Sequence, residues 1–209
     1  MVLPRSIHRF RDKRAQKNGE WAHLFEKYQG DEVVSLDLET TSLDVSEASI
    51  LSIGAVRISG KRVKTSDRLD IVLQLPPNLT AESIKIHKIR AQDLAEGIAL
   101  QDALTQVLDF VGNRPVLGYY VNYDIRVLSK FLRQEFGFSL PNRAIELSHV
   151  YHDAIKWKHI GGDVDLRFDT IASKLNTPII ERHTALGDAT TVALMYVRLK
   201  YGDAPSVLS

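Results

Sequence analysis

Apolar residues in the first third of the chain form dense, short runs that predict strands. Residues 33–39 (VVSLDLE) and 50–58 (ILSIGAVRI) are rich in Val, Ile and Leu. The second run is apolar throughout, which is typical of a strand buried on both faces. A third strand is predicted from Arg68 to Leu75, because Pro76-Pro77 cannot continue a ladder. Short connections between the three strands favour an antiparallel meander.

After the meander, apolar residues at helical spacing alternate with short strands. Strands are predicted at residues 115–120 and 145–150, and helices at 103–111, 127–136, 168–175 and 184–201. A meander followed by this alternation indicates an α/β fold, with a mixed five-stranded sheet flanked by helices.

The N-terminal residues combine a broken apolar stripe with positive charge. Residues 5–28 are predicted to be helical. Residues 1–28 hold seven Lys or Arg against three Asp or Glu, whereas the whole chain holds 27 against 26. We therefore expect a basic helical extension over residues 1–30 and a main domain over residues 31–209. The extension is either a solvated amphipathic helix or a segment that contacts phosphate or a protein partner.

Composition excludes several classes of protein. The chain has no cysteine, so it has neither disulfides nor a cysteine-ligated metal site. It lacks an apolar run long enough to span a membrane, and its first residues lack the apolar core of a secretory signal. These features predict a cytoplasmic protein without a membrane partner.

Two carboxylates lie at the end of the first predicted strand. Side chains alternate faces along a strand, so Asp37 and Glu39 project from the same side. Their charges repel unless water, protons or a cation intervene. The alternative is that both lie at a solvent-exposed strand end.

Three further residues are candidates, and two of them, Asp124 and His183, have a structural alternative as well. Asp124 lies where a short strand passes into a helix and is either a ligand or a helix N-cap. In the segment HTALGDA, Thr184 is predicted to cap the last helix, which places Asp188 in its first turn and His183 just outside it. Gly187 allows a neighbouring backbone to approach closely. His183 is either functional or an ordinary surface residue.

Together these residues provide the parts of a metal-assisted phosphodiesterase. Carboxylate oxygens suit Mg²⁺ or Mn²⁺, and two such ions about 3.5–4 Å apart can clamp an in-line phosphoryl displacement. Histidine titrates near neutral pH and is suited to accept a proton from water.

The same segments resemble the three motifs of the DEDDh 3′→5′ exonuclease family, which includes the proofreading epsilon subunit of bacterial DNA polymerase III. The first motif is Asp37-Leu38-Glu39-Thr40-Thr41, the second ends at Tyr123-Asp124, and the third runs from His183 to Asp188. The resemblance implies a ribonuclease H-like fold. It also implies two metal ions bound by four carboxylates, with His183 as the general base, in an enzyme of DNA repair or proofreading.

The resemblance also implies substrate contacts, and the chain departs from the family there. Thr40 and Leu43 are expected near the terminal nucleotide. His87, in the segment SIKIHKI, is either a substrate contact or a core histidine. Gly118-Tyr119-Tyr120 stands where family members often carry Gly-His-Asn, and these tyrosines either stack on a base or pack in the core.

Three functions remain open from the sequence. The leading one releases nucleoside 5′-monophosphates from single-stranded DNA 3′ ends, either as a freestanding enzyme or with a polymerase or other protein partner bound through the N-terminal helix. An RNA exonuclease of the same family is the second, because the same site cleaves either backbone. A non-catalytic nucleic-acid-binding module is the third, and the presence of all five site residues weighs against it.

Overall fold

Three consecutive strands form the antiparallel half of the sheet in a computed structural model that describes residues 5–74, 96–156 and 164–202. They are β1 (Glu32–Thr40), β2 (Ile50–Ser59) and β3 (Arg62–Val72). Both strand pairs are antiparallel, which confirms the predicted meander. β3 begins at Arg62 rather than Arg68, because it lies at the sheet edge, where polar side chains remain in solvent.

Two short parallel strands complete the sheet beside β1. They are β4 (Val116–Gly118) and β5 (Ala144–Glu146), and the strand order is β3-β2-β1-β4-β5. The β1–β4 and β4–β5 pairs are parallel, so the carboxyl ends of these three strands meet at one edge. The predicted mixed five-stranded sheet is confirmed.

Helices cover both faces of the sheet. Those in the described residues are α1 (Arg5–Ala15), α2 (Leu100–Val111), α3 (Val121–Glu135), α4 (Leu147–Ile155), α5 (Phe168–Lys174) and α6 (Ala185–Tyr201). One apolar core lies between the sheet and helices α2 and α3, and a second lies between the sheet and helices α4, α5 and α6. β2 is buried over most of its length, as its apolar sequence predicts.

The strand predicted for residues 145–150 is wrong beyond Glu146. The chain enters α4 there, and the Glu146 side chain accepts a hydrogen bond from the Ser148 N–H at the start of the helix. The buried residues Leu147, Tyr151 and Ile155 recur every four positions. That spacing is helical, and a window of only six residues was too short to reveal it.

The N-terminal segment (residues 5–28) is less helical than predicted. α1 ends at Ala15, and after Gly19 only a short 3₁₀ helix forms, at Ala22–Phe25. Leu24 and Phe25 are buried in the first core. α1 is tied to the carboxyl end of α3, since Asp12 is buried and pairs with Arg133 at 3.0 Å.

Across the described ranges, the helices are too short or too polar to cross a bilayer.

Candidate active site

β1 brings the first two carboxylates to the edge where the parallel strands end. Asp37 lies opposite Gly54 of β2, and the pairing register shifts directly after Glu39. Such an irregularity bends a strand and redirects the side chains beside it. Asp37 is partly buried and Glu39 is only 8% exposed, so the alternative of a fully solvated strand end does not hold for Glu39.

Gly54 allows the start of α6 to lie directly against the sheet. A Cβ atom at this position would collide with the backbone of Ala185 and Leu186. The first turn of α6, which contains Asp188, therefore lies beside the β2 residue that pairs with Asp37. This contact was not predictable from the sequence, because a glycine inside a strand has several possible causes.

α6 begins as the sequence predicts. The Thr184 hydroxyl caps it by accepting the Gly187 N–H at 3.1 Å. A Cβ atom on Gly187 would lie 2.5 Å from the carbonyl oxygens of Ile180 and Glu181, so the predicted close backbone approach is present. Asp188 is in the first turn and 6% exposed.

Three carboxylates converge into a group that suits a metal ion. Ligand oxygens of Asp37, Glu39 and Asp188 all lie within 4.8 Å of one another. Asp188 Oδ1 is buried and has no hydrogen-bond partner among the described residues. A buried oxygen without a partner is destabilising, and a cation would satisfy it. The all-oxygen donor set fits a hard divalent cation such as Mg²⁺ or Mn²⁺.

Asp124 approaches the same strand from the opposite helix layer. It lies in the first turn of α3 and is 4% exposed, but the N-cap is Tyr120, so the N-cap alternative for Asp124 is wrong. Burial raises the pKa of Asp124 well above its usual range, and backbone N–H groups, including that of Leu38, partly oppose this shift. Leu38 lies between Asp37 and Glu39, so Asp124 joins the edge of the cluster.

The carboxylates destabilise one another's charges. Burial, followed by the negative charges of Asp124, Asp188 and Glu39, raises the pKa of Asp37 well above its usual range. Burial likewise raises the pKa of Asp188, and the nearby Arg182 opposes that shift. Carboxyl groups whose ionised form is disfavoured in this way are strongly stabilised as carboxylates by a bound cation.

His183 lies beside the cluster and is exposed. Its backbone has a φ of 66°, in the left-handed region, and its N–H donates to Asp188 Oδ2 at 3.3 Å. Non-glycine residues adopt this conformation only where the surrounding structure imposes it. The backbone of His183 is therefore tied to a carboxylate of the cluster while its ring remains accessible.

The two tyrosines that depart from the family pattern have different environments. Tyr119 is partly buried, donates to the Leu166 carbonyl at 2.9 Å and packs edge-on against Phe168. Tyr120 is 68% exposed and has a φ of 59°. The expectation of core packing holds only for Tyr119.

Glu146 holds the turn that contains these tyrosines. Its carboxylate accepts the backbone N–H groups of Tyr120 at 3.1 Å and Val121 at 3.0 Å. Because Tyr120 provides no side-chain cap for α3, Glu146 replaces it from the end of β5. Sequence reasoning overlooked Glu146, although an acid ending a parallel strand follows the same logic as Asp37 and Glu39.

The predicted substrate contacts are spread over different environments. Thr40 is buried, and its hydroxyl lies 2.6 Å from the Tyr123 hydroxyl. Leu43 is 90% exposed in the loop that follows β1. His87 lies outside the described residues. A role in substrate binding stays a prediction for all three.

Comparison with known proteins identifies the class of protein. The exonuclease family model of the ribonuclease T type matches residues 34–196, and the chain belongs to this family.

Among its relatives, the chain is 26% identical to DNA polymerase III subunit epsilon of Aquifex aeolicus, over 81% of this chain and 83% of that protein. It is 24% identical to the PolC-type DNA polymerase III of Thermotoga maritima, over 79% of this chain but only 12% of that polymerase. It is 27% identical to the oligoribonuclease of Streptomyces griseus, over 61% of this chain and 69% of that enzyme.

The fold matches solved exonuclease structures. Escherichia coli exonuclease I, in a complex with a dT13 oligonucleotide, superposes with a TM-score of 0.67 at 14% identity. The match covers 82% of this chain and 41% of exonuclease I. The ribonuclease H-like exonuclease fold implied by the sequence motifs is confirmed.

Proposed function

We propose that this protein is a 3′→5′ exonuclease that hydrolyses the terminal phosphodiester bond of DNA and releases nucleoside 5′-monophosphates. The observation that carries the proposal is the convergence of Asp37, Glu39 and Asp188 within 4.8 Å, in a chain of the exonuclease family. Asp124 completes the set of carboxylates at the same sheet edge.

The four carboxylates would hold two Mg²⁺ or Mn²⁺ ions. When bound, such ions lower the pKa of a coordinated water and stabilise the leaving oxygen. The backbone of a strand and of the first turns of two helices holds the four carboxylates in position. His183 would accept the proton of the attacking water at a ring nitrogen, since its ring is exposed and its backbone N–H is bonded to Asp188. Thr40 and Leu43 would border the terminal nucleotide.

DNA is favoured over RNA as the substrate. The relationship to a DNA polymerase III epsilon subunit covers more than four-fifths of both chains. The match to the oligoribonuclease covers less of this chain. Because that relative exists, an RNA exonuclease is the second candidate. A function without catalysis is disfavoured, because each acidic position of the three motifs is occupied by an acid. Proofreading or DNA repair in the cytoplasm is the setting that we infer.

A polymerase or another protein partner is proposed for the N-terminal segment. The epsilon relative is a subunit of DNA polymerase III, and the PolC-type relative is itself a DNA polymerase III. Both relationships support a polymerase as the partner. α1 is tied to the carboxyl end of α3, whereas Asp124 is at the amino end of that helix. Arg133 lies nine helical residues beyond Asp124, a rise of about 14 Å, so a partner held there would leave the carboxylates accessible.

Matched oligonucleotides test the direction and the polymer. Single-stranded DNA, duplex DNA and RNA of one sequence, labelled at either end, are incubated with Mn²⁺ or with EDTA. We expect Mn²⁺-dependent release of labelled mononucleotide from the 3′ end, fastest with single-stranded DNA. Faster cleavage of RNA would favour the second candidate, and first release of the 5′ label would contradict the proposal. Glu39→Gln should abolish turnover, whereas Glu135→Gln, at an exposed position on α3, serves as the matched control.

A further inference from the structure

Arg182 places a positive charge directly on the carboxylate cluster. Its Nη1 lies 2.5 Å from Asp188 Oδ2, and the Arg182 side chain is 32% exposed. The guanidinium carbon lies 4.0 Å from the centre of the Phe168 ring, which is a cation–π arrangement. The family motifs do not include this residue, and the sequence alone gave no reason to select it.

The charge of Arg182 acts on the same groups that would hold a metal ion. Asp188 Oδ2 accepts both the guanidinium and the His183 N–H, whereas Asp188 Oδ1 has no hydrogen-bond partner in the described ranges. Arg182 also lowers the pKa of Asp37, against the stronger effects that raise it. Arg182 is therefore a cation that balances part of the cluster's negative charge.

A second acceptor lies next to the guanidinium. Arg182 Nε is 3.5 Å from a carboxylate oxygen of Asp169, whose side chain is 75% exposed. Phe168 fixes the plane of the guanidinium between the two carboxylates. Arg182 can thus release Asp188 and remain paired with Asp169, so that its charge is not left without a partner.

We propose that Arg182 is a resident counter-cation that competes with the divalent ion for Asp188 and thereby sets the metal affinity of the site. The proposal rests on the metal site of the proposed function. It assigns Arg182 as a positioning residue, because it acts on a ligand rather than on the substrate. A guanidinium on Oδ2 and a metal ion on Oδ1 of the same carboxylate repel each other, so each weakens the binding of the other.

Mn²⁺ binding to the substrate-free protein tests the competition. Mn²⁺ is titrated into three metal-stripped proteins: the wild type, Arg182→Gln and Arg62→Gln. Electron paramagnetic resonance measures the concentration of free Mn²⁺ at each step. Arg62 is exposed at the start of β3, near the opposite end of the sheet, so its substitution controls for the change in net charge. We expect Arg182→Gln to bind Mn²⁺ about tenfold more tightly than both other proteins.

The outcomes separate this proposal from the proposed function. Equal affinities for Arg182→Gln and Arg62→Gln overturn the role of Arg182 and leave the metal site intact. Absence of Mn²⁺ binding in all three proteins overturns the metal site itself. If Arg182→Gln does not fold, the surface variant Asp169→Asn decides. Loss of the second acceptor should weaken Mn²⁺ binding relative to Asp109→Asn, a control at an exposed position on α2. Equal affinity for those two variants also overturns the proposal.

Discussion

His183 is the residue whose chemical role is most open to direct test. Its ring is exposed, while its backbone N–H is bonded to Asp188. General-base catalysis typically contributes about 10²–10⁴-fold, so His183→Ala should lower the rate by that factor. Mn²⁺ affinity should change little, since the four carboxylates remain. Single-turnover kinetics and Mn²⁺ titration measure the two quantities.

His149→Ala provides the control for this test, because His149 is exposed on α4. It should leave both the rate and the affinity unchanged. Parallel losses of rate and affinity in His183→Ala would instead make the histidine a metal ligand.

At the residue scale, the sequence predicted the acids well and their surroundings poorly. The two-residue spacing of Asp37 and Glu39 defines a common face in any strand, so their pairing was predictable. The contacts of Arg182 and Glu146 depend on left-handed backbone at His183 and Tyr120. Neither residue is a glycine, and local sequence gives little warning of such conformations.

At the scale of elements, the site depends on how closely α6 approaches β2. Gly54→Ala would place a methyl group against the backbone of Ala185 and Leu186. Overpacking of this kind typically destabilises by about 1–3 kcal/mol. We also expect turnover per folded molecule to fall, because α6 must move and Asp188 moves with it.

Gly60→Ala separates loss of stability from displacement of α6 in the Gly54 test. Gly60 has a φ of 55° and open space around its missing Cβ, so alanine there introduces backbone strain of about 1 kcal/mol without moving α6. Urea unfolding should show losses for both variants, but kcat should fall only for Gly54→Ala. An unchanged kcat in Gly54→Ala would mean that the site tolerates displacement of the helix.

A second interaction between elements stabilises the opposite end of the sheet and depends on pH. Glu32 at the start of β1 pairs with Lys64 of β3 at 2.6 Å and with Arg114, which precedes β4, at 2.8 Å. Hydrogen bonds from Lys64 and Arg114 lower the pKa of Glu32 from 4.5 to about 2. This lowered pKa stabilises the fold fully above pH 4.5, and the stabilisation is lost as pH falls towards about 2.

Glu32→Gln should therefore reduce the free energy of unfolding at pH 7 by ~1–2 kcal/mol, a value discounted for partial exposure. The wild type and the variant should converge near pH 2. Urea unfolding at a series of pH values measures this, with Glu135→Gln as the control. A constant difference at all pH values would contradict the assigned ion pairs.

The sequence predicted the elements best where the apolar pattern was long. β2 and α6 agree with their predicted bounds within one residue. The strand predicted at residues 145–150 failed beyond Glu146, because three strand residues followed at once by a helix contain no full period of either pattern. The edge strand β3 was predicted too short, because its exposed polar half has no apolar alternation.

At the scale of the molecule, the fold gathers carboxylates from both helix layers onto one edge of a mixed sheet. β1 supplies Asp37 and Glu39, α3 supplies Asp124 from one face, and α6 supplies Asp188 from the other. No pattern within one element predicts this convergence. The order of the motifs along the chain indicated it only through resemblance to a family in which the same order recurs.

The four carboxylates are proposed to act as one metal-dependent hydrolytic site. Single-turnover cleavage of 5′-labelled single-stranded DNA is measured for Asp37→Asn, Asp188→Asn and the double variant, with Asp109→Asn as the control. We expect each single variant to lose at least about 100-fold, because stabilisation of the transition state by metal is worth several kcal/mol. The double variant should be no slower than the slower single variant, since residues that act as a unit are not additive. Undiminished turnover in either single variant, or fully multiplicative losses in the double variant, would contradict the account.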